Sequence, residues 1–560
     1  MGATGSRKPG SPTCSPIPRT WNPWPASSWS RRADGGRPGG LGIAAQHSNG
    51  QGAWLQWLER TGNRLPDPAT LFLMATLLVL LLSQLAESAG WTVEKAVLGE
   101  AGTTTETVAA RGLLDSQGLW WLVSHLVENF VSFPPLGMVL VAMLGIGLAE
   151  RVGLLPALIE RSMARIPPVL VTPVLLLVGI LSSLTLDAGY VVLPPLAAAL
   201  YATLGRSPLT GVAVAFAGVS AGFSANFVIT GLDPLLAGFS TAGARILDPD
   251  YRVAVTANWW FMIASTILLP LVGWWVTRHW VEPRLGTRGL EDAERVAGER
   301  AHRADPAVEG RALGAAGWAL GLTLVIIVLC VAWPGAPLHG IGARFARWVE
   351  AIVPVILILF LVPGLTYGIR AGAIRSDRDA AGLMARTMAD MGPYIVLAFF
   401  AAQFIEAFRY SHLGEMLAIV GGDFLAGLSL PPSLLVAAFV LVTVVGNLFM
   451  GSASAKYAFF APVFVPMFMQ TGISPELTQA AYRVGDSVSN IITPLNPYMV
   501  VILSLMQRYA REAGLGTLVA TMLPYSLAFL LAWLVLLTLW VAVGWPLGPA
   551  GPLTFSSAAG

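Results

Sequence analysis

The chain has 560 residues, of which 34 are Lys or Arg and 32 are Asp or Glu, so that 12% are charged and 55% are hydrophobic. Soluble domains carry about 25% charged residues, and a chain this poor in charge lacks the polar side chains to cover a water-exposed surface of its size. The composition therefore predicts an all-α polytopic membrane protein and excludes a string of soluble domains. The formal net charge of +2 is spread over scattered loops and forms no basic stripe, which argues against a nucleic-acid partner.

Composition divides the sequence into five regions. Residues 1–50, rich in Pro, Gly, Ser and Arg, cannot bury a core, and we expect a disordered basic N-terminal arm. Apolar runs approaching the roughly 20 residues that cross a bilayer recur on both sides of a charged loop. We expect a first transmembrane half at 51–277, a cytoplasmic charged loop at 278–312, a second transmembrane half at 313–545 and a tail at 546–560.

The distribution of Lys and Arg predicts the orientation. Eight basic residues and two acidic ones lie between Met1 and Arg64, and seven Arg lie between Arg278 and Arg311. Because basic residues favour the cytoplasmic ends of membrane helices, we expect the N-terminus and this loop in the cytoplasm. The acidic stretch from Glu87 to Asp115 is expected outside.

Two stretches about 265 residues apart share one order of polar, Gly and Pro features, and they end in TGLDP (230–234) and TPLNP (493–497). Proline lacks an N–H and glycine adopts unusual backbone angles, so both apolar segments are predicted to break, near 224–234 and near 487–497. Unwound backbone in lipid is tolerated where it lines a cavity or binds an ion. Paired broken helices thus predict a secondary transporter with its site between the halves. The segments Asp187 to Leu204 and Ser452 to Gln470 are interpreted as re-entrant hairpins.

Charged and polar side chains lie beside both predicted breaks. An ionised group in the membrane costs at least about 2.5–3.5 kcal/mol, so it needs a partner or a function. Asp233 and Asp486 supply hard oxygen ligands that are predicted to cage a Na⁺, or Asp233 carries a proton. The Asn and Thr side chains that would complete this cage are Asn226, Asn447, Asn490, Thr230 and Thr493.

Two basic side chains lie in the same apolar sequence. Arg483 offers a forked cation for a substrate carboxylate, and the alternative is a structural salt bridge with Asp486, one helical turn further along. Both roles remain open. Lys456 is predicted to extend from a hairpin tip to water rather than to contact substrate.

Enzymatic motifs are missing from the sequence. It contains no HExxH, Walker or GxSxG pattern, and its six histidines show no metal-ligand spacing. We therefore expect neither an enzyme nor a cofactor, apart from a coupling ion.

Three strings carry a family resemblance: TGLDPLLAGFSTAGA (230–244), GNLFMGSASAKYAFFAPVFVPMF (446–468) and YRVGDSVSNIITPLNPYMVVIL (482–503). They resemble the AbgT family of p-aminobenzoyl-glutamate transporters, over about Trp54 to Trp545. The resemblance implies an inner-membrane homodimer whose protomers have nine transmembrane helices and two opposed re-entrant hairpins in an inverted repeat. It also implies transport of p-aminobenzoyl-glutamate, coupled to a gradient of Na⁺ or H⁺, and export of sulfonamide antimetabolites in some members.

The resemblance also assigns residues. Asp233 matches the family aspartate after the first hairpin, Asn447 and Asp486 match the pair near the cation, and Pro475 and Arg483 match the proline and arginine of the second half. Tyr457 stands where the family has a hairpin tryptophan, so it keeps an aromatic surface and adds a hydroxyl. In the implied site Tyr457 stacks on the substrate ring and Arg483 holds a carboxylate. The substrate-binding set is Asp233, Tyr457, Pro475, Arg483, Asn226 and Asn490.

Other functions remain open at this stage. A Na⁺-coupled dicarboxylate carrier belongs to the same mechanistic class, and Tyr457 with the YRVGDS string argues against it. A passive channel also uses broken helices, but a channel need not show the requirement for Na⁺ or H⁺ that uphill transport has. A polytopic enzyme lacks its catalytic constellation.

Overall fold

A computed structural model describes Gly2 and residues 68–556, apart from 100–101, 164–166, 186–187, 293–305, 494 and 497. The predicted basic arm (1–50) apart from Gly2, residues 293–305 of the charged loop, and two prolines of the second motif lie outside these described residues.

Helices dominate the first half because its apolar runs must satisfy their backbone hydrogen bonds internally in lipid. A β-hairpin of strands β1 (Thr92–Gly99) and β2 (Gly102–Ala109) pairs antiparallel, with Thr92 opposite Ala109. The helices of nine or more residues are α1 (Pro68–Ser88), α2 (Ser116–Val131), α3 (Pro134–Arg151), α4 (Leu154–Met163), α5 (Val171–Leu181), α6 (Ala188–Thr203), α7 (Pro208–Phe216), α8 (Leu232–Ala244) and α9 (Trp259–Val276).

The second half is also helical. Its helices are α10 (Pro306–Ala332), α11 (Ile352–Ala371), α12 (Asp377–Asp390), α13 (Gly392–Tyr410), α14 (Leu413–Gly427), α15 (Pro432–Asn447), α16 (Ala453–Gln470), α17 (Pro475–Ser489), α18 (Tyr498–Tyr509) and α19 (Leu515–Val543). Shorter helical pieces are Pro168–Leu170, Ser182–Thr185, Glu282–Leu285 and Arg347–Glu350, with π-turns at Ala217–Ala221 and Thr277–Val281.

Length and apolar composition identify the helices that cross the membrane. Among the described residues six helical stretches qualify, and two bent helix pairs raise the number to eight. One of these pairs, α14 with α15, is bent by 119°, as expected of a broken span or a re-entrant loop. The chain is therefore a multi-pass helical membrane protein, which confirms the predicted fold class.

The hairpin boundaries predicted from sequence were wrong. The described parts of the two predicted hairpins each contain one continuous helix, α6 and α16, and the turn lies before that helix, beginning at 182–185 in the first half and at 448–452 in the second. The helix–turn–helix units are thus α5–α6 and α15–α16. The first turn begins where Ser182 and Ser183 donate their hydroxyls to the carbonyls of Gly179 and Ile180, at 2.6 and 2.8 Å. The error arose because α5 and most of α15 are apolar and give little polar signal of a hairpin limb.

The two halves pack against each other reciprocally. From the first half, α8 contacts α16 and α17, and from the second half, α18 contacts α6 and α7. The approach of α8 to α16 is close, since a Cβ on Gly243 would lie 2.5 Å from the Ala461 carbonyl oxygen. Each half therefore packs one helix, α8 or α18, against the second helix of the other half's helix–turn–helix unit, which is α16 for α8 and α6 for α18.

Candidate substrate and ion site

In each half, a stretch of non-helical backbone separates two consecutive helices. In the first, α7 and its π-turn end at Ala221, and α8 begins at Leu232. In the second, α17 ends at Ser489 and α18 begins at Tyr498. The backbone N–H of Ser224 donates to the Ser487 hydroxyl at 3.2 Å, and Asn496 donates to the Ser220 hydroxyl at 3.2 Å. The two interruptions are therefore joined by hydrogen bonds between the halves.

Charged side chains are buried around these interruptions. Within the described residues the Asp, Glu, Lys and Arg residues that are less than a tenth exposed are three acids and two bases, namely Asp233, Glu476, Asp486, Lys456 and Arg483. Burial of an unpaired charge in a low-dielectric interior is costly, so the pairing of these five groups determines what the site is able to bind.

Asp233 lies in the first turn of α8 and pairs with Arg483 of α17, from the other half of the chain. Its second carboxylate oxygen accepts hydrogen bonds from the backbone N–H and the hydroxyl of Thr230, at 2.6 and 2.9 Å. The carboxylate thereby satisfies a backbone N–H at the start of the helix, where the helix dipole also favours negative charge.

Asn447 forms the centre of a second polar cluster at the ends of α15 and α17. Its amide nitrogen lies 2.9 Å from the Asp486 carbonyl oxygen, 2.8 Å from the Ser489 hydroxyl and 2.8 Å from the Asn490 side-chain oxygen. The Thr493 hydroxyl donates to the Asn447 carbonyl at 3.0 Å. The structure thus brings together four of the residues predicted to hold a cation, Asn447, Asp486, Asn490 and Thr493.

Lys456 supplies the cation of this second cluster. Its ammonium lies 2.6 Å from one carboxylate oxygen of Asp486 and donates to the side-chain oxygen of Asn447. The prediction that Lys456 reaches water was wrong, because its side chain is fully buried. The alternative ion pair between Arg483 and Asp486 is not formed, since each of these residues has a long-range partner instead.

The predicted Na⁺ cage therefore divides into separate sets of contacts. Thr230 and Asp233 belong to the Arg483 cluster, whereas Asn226 donates to the Ser183 hydroxyl at 2.9 Å, before the turn between α5 and α6. No group of three or more His, Cys, Asp or Glu side chains among the described residues is arranged to hold a metal ion. A cation at the second cluster would be held by mixed carboxylate, amide and hydroxyl oxygens, which suit Na⁺ chemically, after Lys456 has released them.

Arg483 retains a free donor. Its Nε is buried and has no hydrogen-bond partner among the described residues, and the same holds for the Ser224 hydroxyl. Ser487, which accepts from the Ser224 backbone, lies one helical turn after Arg483 on α17. A buried donor without a partner is rare in folded proteins, so an open guanidinium donor beside the interruptions indicates a position for an anionic ligand.

Tyr457 is fully buried in this state. Its ring lies 4.2 Å from the ring of Tyr482, and its hydroxyl shares a hydrogen bond of 2.7 Å with Ser240. Stacking of a substrate ring on Tyr457 thus requires one of these neighbours to move.

Pro475 begins α17, after Ser474, whose side chain accepts from the Leu477 N–H at 3.0 Å. The next residue, Glu476, is a buried acid to which the sequence analysis assigned no role. Its signal in the sequence was an acidic residue beside the second repeat motif without a basic neighbour.

The fold and the site define a class: a multi-pass membrane protein with two cross-packed halves and buried charges at helix interruptions, as in secondary transporters. Residues 53–555 match the "AbgT putative transporter family", and the chain belongs to this family of transporters. The prediction that the chain is not an enzyme is thereby confirmed.

Among curated proteins, the chain is 34% identical to the p-aminobenzoyl-glutamate transport protein of Escherichia coli (strain K12), over 515 residues. The match covers 90% of this chain and 97% of that protein. Among solved structures, the YdaH transporter of Alcanivorax borkumensis, which has an unusual topology, is 44% identical with a TM-score of 0.80, and the match covers 86% of this chain and 100% of YdaH. MtrF of Neisseria gonorrhoeae, which belongs to a class of antimetabolite efflux pumps, is 40% identical with a TM-score of 0.82. This match covers 89% of this chain and 100% of MtrF.

Proposed function

We propose that the protein is an ion-coupled secondary transporter of p-aminobenzoyl-glutamate and related aromatic amino-acid conjugates. The observation that carries this proposal is the buried guanidinium of Arg483, which uses one arm for Asp233 and leaves its Nε open. The E. coli relative is a p-aminobenzoyl-glutamate transport protein, and such a substrate has two carboxylates for this donor.

Aromatic side chains beside Arg483 fit the other end of this substrate. Tyr482 precedes Arg483 on α17, and Tyr457 lies against it from α16. Offset aromatic pairs contribute about 0.5–1.5 kcal/mol beyond the burial of their area, so insertion of an aminobenzoyl ring replaces one such contact with another. The proposed substrate site combines Asp233, Tyr457, Pro475 and Arg483 with Asn226 and Asn490 at its edges.

Export of antimetabolites is a second proposed function of the same site. It is favoured by the similarity to MtrF, which covers 89% of this chain. A sulfonamide shares the aromatic amine of p-aminobenzoyl-glutamate and lacks its glutamate, so its binding would depend on Tyr457 and little on Arg483.

The experiment uses purified protein in liposomes, with labelled p-aminobenzoyl-glutamate followed under an imposed Na⁺ gradient and, separately, under a pH gradient. We expect uphill accumulation that Arg483→Ala reduces at least about tenfold, since a hydrogen bond to a charged group contributes about 1.5–3 kcal/mol. Arg311→Ala, at an exposed arginine of α10, is the matched control and is expected to transport normally. Flux that only runs downhill would identify a channel, and accumulation of simple dicarboxylates instead would identify the rival carrier.

We also propose an inner-membrane location with a cytoplasmic N-terminus, on the basis of the Lys and Arg distribution. Cys14 lies in the basic arm and Cys330 in α10, so a Cys330→Ser variant leaves one thiol to label. We expect a membrane-impermeant maleimide to label Cys14 only after the cells are permeabilised. Labelling of Cys14 in intact spheroplasts would show that the N-terminus lies outside. The homodimer implied by the family resemblance is tested by light scattering of the protein in detergent.

A further inference from the structure

The buried charges of the described core do not balance. Asp233 pairs with Arg483, and Asp486 pairs with Lys456. Glu476, at the start of α17, is the third acid, and it is 2% exposed without an ion pair in the described part of the chain.

The hydrogen-bond partners of Glu476 are neutral. The Tyr251 hydroxyl lies 3.1 and 3.0 Å from its two carboxyl oxygens, and the Ser474 hydroxyl and the backbone N–H of Glu476 itself also lie close. Tyr251 is partly exposed, so the Glu476 carboxyl lies one hydrogen bond from a side chain that water reaches.

Among the described residues, no cation of the elements around Glu476 forms an ion pair with it. Helices α9 and α15 and the segment 544–555 contain no Asp, Glu, Lys, Arg, His or Tyr, and α19 contains Tyr525, which is bonded to Thr277. Arg483, on α17 itself, and Lys456, on the neighbouring α16, are paired with other acids. The loop 245–258 also carries charged groups, and none of them forms an ion pair with Glu476: Arg245, Asp248, Asp250 and Arg252.

A carboxylate buried in this way is costly, because the effective penalty for burying an unpaired ion is several kcal/mol and neutral donors repay part of it. Binding of one proton removes the charge altogether. We propose that Glu476 is the proton-binding carboxyl of the transport cycle, protonated when it is buried as in this structure and ionised when a movement of Tyr251 exposes the start of α17 to water. The proton comes from water and returns to water, and an O–H bond forms and breaks at a carboxyl oxygen.

Hydrogen bonds connect the start of α17 to the proposed substrate site. Asn258 donates to the Glu476 carbonyl at 2.9 Å and accepts from Gln479 at 2.8 Å. Gln479 accepts from Ser240 at 2.7 Å, and Ser240 bonds the Tyr457 hydroxyl at 2.7 Å. The side-chain amides of Asn258 and Gln479 fix the geometry of this chain of hydrogen bonds and do not relay protons. A movement of the α17 start that exposes Glu476 therefore also displaces the partners of Tyr457, which links protonation to substrate binding.

The inference deepens the proposed transport function and rests on it. The test compares wild type with Glu476→Gln in liposomes whose membrane potential is clamped at zero. With a pH gradient of about 1 unit, one coupled proton supports at most about tenfold accumulation, since 1.4 kcal/mol corresponds to a tenfold ratio. We expect wild type to accumulate labelled p-aminobenzoyl-glutamate. Glu476→Gln mimics the protonated acid, and we expect this variant to exchange the substrate at a near-normal rate without accumulating it.

Asp250→Asn is the matched control, because this acid is highly exposed and lies next to Tyr251. It is expected to accumulate substrate like wild type. Tyr251→Phe removes a donor from the ionised carboxylate, so the pH at which transport is half-maximal is expected to rise.

Three results overturn the inference and leave the proposed function standing. The first is tenfold accumulation by Glu476→Gln, and the second is the loss of both exchange and accumulation in this variant. The third is wild-type accumulation that follows the Na⁺ gradient and does not respond to the pH gradient. A wild-type protein that moves no p-aminobenzoyl-glutamate in either direction refutes the proposed function itself.

Discussion

Replacement of Lys456 by methionine tests which cation holds the second polar cluster. Methionine keeps the length of the side chain and removes the ammonium that contacts Asp486 and Asn447. The Asp486 side chain is 1% exposed, so the variant leaves a buried carboxylate without a cation. Removal of one partner from a buried ion pair costs about 3–5 kcal/mol of folding free energy.

Sodium is expected to restore much of this loss. With Lys456 gone, the oxygens of Asp486, Asn447, Asn490 and Thr493 become available to a hard cation. A ligand that binds the folded state alone stabilises it by about 2.7 kcal/mol when its concentration is 100 times its dissociation constant. Lys456→Met should therefore be unstable in choline buffer and regain stability as choline is replaced by Na⁺.

The assay is thermal unfolding of the detergent-purified protein across a Na⁺ series at constant ionic strength. The matched control is Lys456→Met combined with Asp486→Asn, which removes both charges and should recover stability without a Na⁺ response. If Lys456→Met is as stable as wild type in choline, or responds to Na⁺ no more than wild type does, then Lys456 does not occupy a cation site.

Three further predictions follow from the same contacts. Asp233→Ala should abolish ion-coupled transport and also lower the unfolding temperature, because it leaves Arg483 buried without its partner; normal flux in this variant would remove Asp233 from the mechanism. Gly485→Ala should destabilise the protein, since the new Cβ would lie 2.5 Å from the Val440 carbonyl oxygen, whereas Gly317→Ala in α10 has open space and should unfold like wild type. Deletion of residues 2–40 should leave the transport rate unchanged, and an inactive truncation would give the arm a role.

Sequence alone was sufficient for the class of protein and for the region of the site. The low charge content required lipid as the solvent, and the family strings around Asp233 and Arg483 pointed to a transporter. These conclusions rest on composition and on local order along the chain, which sequence records directly. The placement of polar residues beside Pro and Gly identified both interruptions for the same reason.

Pairing between charges was decided by the tertiary structure. Arg483 and Asp486 are three residues apart on one helix, yet their partners are Asp233 and Lys456, from other helices. In a buried core each charge needs a partner with a matching position in space, and a single sequence does not record which distant segments meet. For the same reason the sequence does not distinguish Glu476 from other acidic residues. The structure does, because each buried cation is paired with another acid and Glu476 is left without one.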